Sequence, residues 1–246
     1  MKTESKLTLP QKAQQTTRPA VRRVNPFAQK QSPWRSVEIL LTLLCPLRCT
    51  HCRTNSAPDR TEIMSPDLLK ELIQDLADLA KTEHVVLSGG EPAMVPELVQ
   101  FAIAECAGRG MKTRAMTSGN WAGCETSARE GAATFDGEDE LIISMDRAHS
   151  KFLDISLPLR AARAAIAQSI PTTICYAAEP DEFRSDSDLP QGLLERCREL
   201  GVDLVVTPML DCGRASGRQC LIPDINPAQG CGNLRSPLID WEGRVY

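Results

Sequence analysis

From Val37 onward, stretches of alternating or continuous apolar residues are separated by stretches with helical spacing. Val37 to Leu44 is almost wholly apolar, the pattern of a parallel strand buried on both faces. Ser65-Pro66-Asp67 then supplies a capping hydroxyl, a proline suited to the first helical position and an acid near the positive end of the helix dipole. Behind it Leu68, Leu69, Leu72, Ile73, Leu76 and Leu79 make one apolar face. The alternation predicts further strands at 84–88, 112–117, 140–145, 172–177 and 203–207, with helices at about 95–108, 122–131, 153–169 and 189–200 between them. Six strands joined by crossover helices imply an α/β fold with a parallel sheet curled into a partial TIM-like barrel; an open doubly wound sheet is the alternative.

Residues 1–35 lack this periodicity. They carry eight lysines and arginines against the single acid Glu4, with prolines at 10, 19, 26 and 33, and are expected to form a disordered basic arm. No run approaches the roughly 18 apolar residues of a membrane span, and no secretory signal is evident, so a cytoplasmic protein without a membrane partner is expected. A net charge of −4 gives no reason to expect nucleic acid. Composition otherwise changes the picture only through its ten cysteines, a number that suggests metal before crosslinks where thiols stay reduced.

Six of these cysteines fall in two groups, Cys45, Cys49, Cys52 and Cys212, Cys220, Cys231. The first group lies directly after the first strand, at the carboxyl end where parallel barrels build their ligand sites. Three thiolates would leave one iron of a cubane cluster open to a further ligand, while a zinc ion would require a fourth protein ligand and His51 is adjacent to Cys52. Both metals fit the triad taken alone. One βα unit later, Gly89-Gly90-Glu91-Pro92 follows the second strand, a turn with exposed backbone groups and a carboxylate suited to an ammonium group.

With Cys45-Pro46-Leu47-Arg48-Cys49-Thr50-His51-Cys52 and that turn together, residues 36–214 resemble the radical S-adenosylmethionine superfamily. The resemblance implies a partial six-stranded barrel and an enzyme with a [4Fe-4S] cluster on Cys45, Cys49 and Cys52. It also implies S-adenosyl-L-methionine on the fourth iron, with Gly89, Gly90 and Glu91 holding the methionine ammonium. Reductive cleavage of that cofactor would give a 5′-deoxyadenosyl radical for hydrogen abstraction. Thr117-Ser118-Gly119 and Ser144-Met145-Asp146 match further strand-end motifs, making Thr117, Ser118, Ser144 and Asp146 candidates for the ribose and the methionine carboxylate. An ordinary strand-end cap is the alternative for each. The implied partners are a small electron donor such as flavodoxin or ferredoxin and a peptide or small-molecule substrate.

Gly213-Arg214-Ala215 and the stretch from Cys231 to Gly243 resemble the opening of a SPASM or twitch extension, which would make Cys212, Cys220 and Cys231 candidate ligands of a second iron-sulfur cluster. That pattern expects a further cysteine after Gly243, and none occurs before Tyr246, so the extension over 211–246 reads as incomplete. Arg214 is a candidate for the cofactor carboxylate or a capping contact. His149 is a candidate for proton transfer, whereas Cys106, Cys175 and Cys197 read as buried inert thiols. A non-catalytic iron-sulfur or zinc protein, or an electron carrier, is the rival reading. Gly108-Arg109-Gly110 precedes a strand and lacks nucleotide-loop spacing.

Overall fold

The computed structural model describes residues 21–23, 33–179, 189–209, 213–215 and 236–246. Its frame is a parallel sheet of β1 (Val21–Arg23), β2 (Ser36–Thr42), β3 (His84–Gly89), β4 (Lys112–Thr117), β5 (Glu140–Met145), β6 (Thr172–Ala178), β7 (Asp203–Pro208) and β8 (Leu238–Ile239). The strand order is β1-β7-β6-β5-β4-β3-β2-β8, so the six expected strands lie side by side in chain order and the sheet is open at both edges. One helix crosses over between each successive pair from β2 to β7: α1 (Pro66–Asp78), α2 (Pro96–Ala107), α3 (Glu125–Ala133), α4 (Ser156–Ala167) and α5 (Leu193–Leu200).

Local chemistry sets the helix starts. Ser65 Oγ accepts from Leu68 N at 3.2 Å and Pro66 opens α1, as its capping sequence predicts. α3 begins three residues later than its apolar pattern suggests, because Cys124 and Ser127 cap each other's backbone amides. α4 likewise begins at Ser156, after Asp154 Oδ1 accepts from Ser156 N at 2.8 Å, and a short 3-10 turn, His149–Lys151, precedes it. Gly192, in the left-handed region at φ 75°, precedes α5 and delays it to Leu193.

Every central strand buries one face under the helices, and β2 is buried on both faces over its second half, as its apolar run predicts, with Leu40 at 3% and Thr42 at 0% exposure. Val37, Ile39, Leu41, Val85, Leu87, Ala115, Leu141, Ile143, Ile174 and Val206 are at 0% exposure and pack with Leu69, Ile73, Val99, Ala102 and Ala161 of the helices. Elsewhere on the sheet the opposite face is for the most part half-buried and mixes apolar with polar side chains. There Arg114 Nε meets Glu140 Oε2 at 3.1 Å, Thr173 Oγ1 donates to Glu140 Oε1 at 2.7 Å, and Glu38 takes contacts from Arg53 and Ser88. A sheet that covers one face with helices and curls the other inward has room for such side chains.

Two edge strands come from outside the expected barrel. Val21–Arg23, within the arm expected to be disordered, pairs in parallel with β7, and β8 pairs in parallel with β2. The segment after β8 closes a hairpin: Leu238 and Tyr246 exchange backbone hydrogen bonds of 3.2 and 2.8 Å, and buried Asp240 accepts from Glu242 N, Arg244 N, Arg244 Nε and Tyr246 Oη. No helix among the described residues is long and apolar enough to cross a membrane. Residues 1–20, 24–32, 180–188, 210–212 and 216–235 lie outside the described residues.

Candidate functional site

The cysteine loop leaves β2 through a break in strand pairing. Thr42 Oγ1 accepts from Leu44 N at 2.9 Å, which turns the chain two residues earlier than the apolar run predicts. The following loop packs Cys45, Cys49 and Cys52 together under Leu47, Leu153 and Leu157, with Cys49 buried and the other two half-buried. The crowding is electrostatic as well as steric. Burial pushes the Cys45 thiol up to about 12, and the neighbouring Glu91, Cys49 and Cys52 add to the rise against a hydrogen bond from Leu47. Burial also works against ionising Cys52, but hydrogen bonds from Thr54 and Ser56 and the nearby Arg214 charge outweigh it and hold that thiol below its ordinary value.

The Gly89–Glu91 turn lies directly against this loop. Gly90 N donates to Thr42 O at 2.6 Å and Glu91 N donates to Leu44 O at 2.9 Å. A Cβ on Gly89, at φ 131°, would sit 2.2 Å from Thr42 O, and one on Gly90 would sit 2.1 Å from Leu44 O. The two glycines are therefore required by the approach of β3 to the root of the cysteine loop, a reason beyond the cofactor contact expected from the motif. Thr54 joins the two parts, since its hydroxyl lies 3.4 Å from Cys52 Sγ and 3.2 Å from Gly89 O.

The candidate polar residues are brought to the same end of the sheet, yet several already have partners. Glu91, at 1% exposure, accepts from Thr117 Oγ1 at 2.6 Å, Ser118 Oγ at 2.7 Å, Ser118 N at 2.9 Å and Ala93 N at 3.2 Å. Its carboxylate thus ties the end of β3 to the end of β4, and Thr117 and Ser118 serve that tie. Asp146 Oδ2 lies 3.0 Å from His51 Nε2 and 2.7 Å from His149 Nδ1, while Asp146 Oδ1 accepts from His149 N at 2.7 Å. Burial alone would raise the Asp146 carboxyl, but the two imidazoles hold it well below the usual carboxylate range. Burial likewise opposes charging His149, but Asp146 and Cys49 beside it raise its value to about 10. The His51 and His149 rings meet edge to face at 5.1 Å.

Sequence reasoning missed the extent of this pairing, because spacing along the chain carries no information on which strand-end groups meet. Ser144, Asp146 and His149 line a cleft of about 340 Å³ with Met145, Leu153 and Tyr176. Arg214 makes contacts different from those expected of it: Nε donates to Cys49 O at 2.8 Å, Nη2 to Ser56 O at 2.7 Å, and its backbone N to Cys52 O at 3.0 Å. Cys212, Cys220 and Cys231 lie outside the described residues.

The donor set fits a cubane cluster. Three clustered thiols cannot all ionise easily while they repel one another, and a multiply charged metal centre relieves that repulsion. Asp146 engages one ring nitrogen of each imidazole near the triad, His51 Nε2 and His149 Nδ1, and the three clustered sulfurs are the thiol ligands that the loop itself supplies. A tetrahedral zinc site would need a fourth.

Comparison with known proteins accords with this geometry. Residues 39–206 match the Radical SAM superfamily. The GTP 3′,8-cyclase of Synechococcus elongatus is 29% identical over 140 residues, covering 56% of this chain and 42% of that protein. The PqqA peptide cyclase of Methylorubrum extorquens is 38% identical over 81 residues, covering 32% of this chain and 20% of its own length. The matched segments make up less than half of either relative. Streptococcus suis SuiB bound to S-adenosylmethionine superposes with a TM-score of 0.55 at 16% identity, over 79% of this chain and 44% of that one. Methylornithine synthase (PylB) superposes with a TM-score of 0.52 at 14% identity, over 82% and 63%. These structural likenesses concern the fold. A family match over about two thirds of the chain, on an open parallel (β/α) sheet with a three-cysteine loop at its carboxyl end, establishes that this protein belongs to the Radical SAM superfamily of enzymes.

Proposed function

We propose that Cys45, Cys49 and Cys52 hold a [4Fe-4S] cluster and that S-adenosyl-L-methionine binds its remaining iron, against the Gly89–Glu91 turn. The observation that carries this reading is the seating of that turn on the root of the cysteine loop through Gly90 N to Thr42 O and Glu91 N to Leu44 O. When bound, the two groups together would supply a 5′-deoxyadenosyl radical for hydrogen abstraction, after one electron from a small donor such as a flavodoxin or ferredoxin. The chain's own residues position and shield. Glu91, held by Thr117 and Ser118, fixes the turn whose backbone groups would receive the methionine ammonium. Leu47, Leu153 and Leu157 keep water from the sulfurs, and Ser144, with the Asp146 and His149 pair, borders the cleft where the nucleoside end would lie.

In this reading residues 36–210 form the catalytic core and 211–246 a short extension, with an auxiliary cluster on Cys212, Cys220 and Cys231 as a separate possibility for assay. The relatives' names point to two substrate classes, a peptide and a small metabolite, and the peptide is favoured by the extension's resemblance to that of peptide maturases. The test is anoxic reconstitution with iron and sulfide, then addition of reductant and S-adenosylmethionine. 5′-Deoxyadenosine should form with the native protein and not with a triple alanine variant at Cys45, Cys49 and Cys52. Iron-sulfur absorption without the nucleoside would favour the electron carrier, and zinc alone would refute the cluster.

A further inference from the structure

Arg214 lies more than 150 residues from the cysteine loop in sequence and is bound to it at three points. We infer that Gly213-Arg214 is a clasp that shapes the three-cysteine loop, and that Arg214 is a positioning residue for the cluster; this rests on the cluster reading above.

The contacts are specific to the residue types present. The guanidinium spans the loop, from Cys49 O through Nε at 2.8 Å to Ser56 O through Nη2 at 2.7 Å, and the backbone amide takes Cys52 O at 3.0 Å. Arginine presents its donors in one rigid plane, so two fixed donors set the separation of two carbonyls, which the single ammonium of lysine cannot do. Because a trans peptide is planar, a carbonyl held toward Arg214 sends the following N–H to the opposite side. Two of the carbonyls belong to ligand cysteines, so the clasp fixes the peptide planes from which Cys49 and Cys52 project. Ser56, at the third point, donates its own N–H to Cys52 Sγ at 3.3 Å.

Gly213 lets this approach occur. It lies at φ 59°, and a Cβ there would stand 2.3 Å from Cys52 O and 2.4 Å from Arg53 O, both rigid backbone atoms. The clasp also brings a positive charge to the sulfurs. A cation beside a cluster that gains an electron stabilises the reduced state, so removing it should lower the midpoint potential. The loop is also tied to the body by the Thr42 to Leu44 corner, by Thr54 to Gly89 O, by Arg53 to Glu38 and by His51 to Asp146, contacts made with β2, β3 and the end of β5. Gly213-Arg214 thus joins the chain after β7 to the loop after β2, and a cluster would be held more firmly with that contact in place.

The experiment uses the full chain, reconstituted anoxically, as native protein, Arg214→Gln, Arg214→Lys and Gly213→Ala. Iron loss to a chelator, the midpoint potential and the electron paramagnetic resonance of the reduced protein with and without S-adenosylmethionine are measured. Arg214→Gln should lose iron roughly ten-fold faster, the loss expected when a buried hydrogen bond from a charged donor is removed, and should titrate at a more negative potential. Arg214→Lys should lose iron faster while its potential stays near the native value, which separates geometry from charge. Gly213→Ala should lose iron as Arg214→Gln does with the charge unchanged. Native iron retention, potential and resonance in both Arg214 variants would overturn the clasp alone. A native protein that forms no cluster under these conditions would overturn the underlying reading and the clasp with it.

Discussion

Replacing Glu91 separates two roles that the Gly-Gly-Glu turn could have. If its carboxylate acted only on the cofactor, Glu91→Ala would weaken cofactor binding and leave the metal-free protein as stable as before. The structure argues otherwise. Four donors, three at the end of β4 and one in the turn after Glu91, converge on this side chain, which is at 1% exposure. A hydrogen bond to a carboxylate contributes roughly 1.5–3 kcal/mol, and a buried donor left without a partner costs about 1–3 kcal/mol. Ala93 N and the two rotatable hydroxyls can find water or each other, whereas Ser118 N is fixed and buried. Allowing for non-additivity, Glu91→Ala should destabilise the protein by about 3–5 kcal/mol. Glu91→Gln keeps one acceptor oxygen and replaces the other with an amide nitrogen that must face a donor, so about 1–2 kcal/mol is expected. Urea unfolding of the metal-free protein, followed by circular dichroism with a thiol reductant present, measures both. A stability for Glu91→Ala within about 1 kcal/mol of the native protein would refute the reasoning and return Glu91 to a ligand role alone.

Three other outcomes follow from the same structure. Gly90→Ala places a Cβ 2.1 Å from Leu44 O, so it should prevent retention of iron on reconstitution, measured as iron per chain; native iron content would show that the turn can move away. Glu138 is buried at 4% exposure, and burial, with the nearby Asp139, pushes its carboxyl up from 4.5 to about 8 against an opposing contact from Thr113. The folded protein then holds a proton that the unfolded chain releases between pH 4.5 and about 8, so stability should fall as pH rises through that window, by an order of 5 kcal/mol in total. Glu138→Gln should flatten this slope, and parallel stability curves from pH 5 to 9 would contradict it. Finally, alkylation of the metal-free protein near pH 8 should label exposed Cys124 ahead of Cys106 and Cys197, because Ser127 and nearby amides lower its thiol, while burial keeps Cys106 at about 12 and Cys197 at about 11. Labelling of Cys106 or Cys197 ahead of Cys124, read by mass spectrometry, would contradict that ordering.

Much of this protein was legible along the chain because the relevant signals are local. Parallel strands and crossover helices declare themselves by period, Ser65-Pro66-Asp67 by capping chemistry, and the cysteine triad and Gly-Gly-Glu turn by spacing within a single loop. Spacing also put Asp146, Thr117 and Ser144 at strand ends, since a residue just past a parallel strand has nowhere else to be. The tertiary structure decided which of these groups meet. It turned Glu91 toward Thr117 and Ser118, closed Asp146 on His51 and His149, and drew Arg214 onto the carbonyls of a loop more than 150 residues earlier. Partner choice of this kind depends on strand order and on the register between neighbours, both fixed by burying one whole face of the sheet beneath the helices, and no stretch of sequence read alone contains that sum.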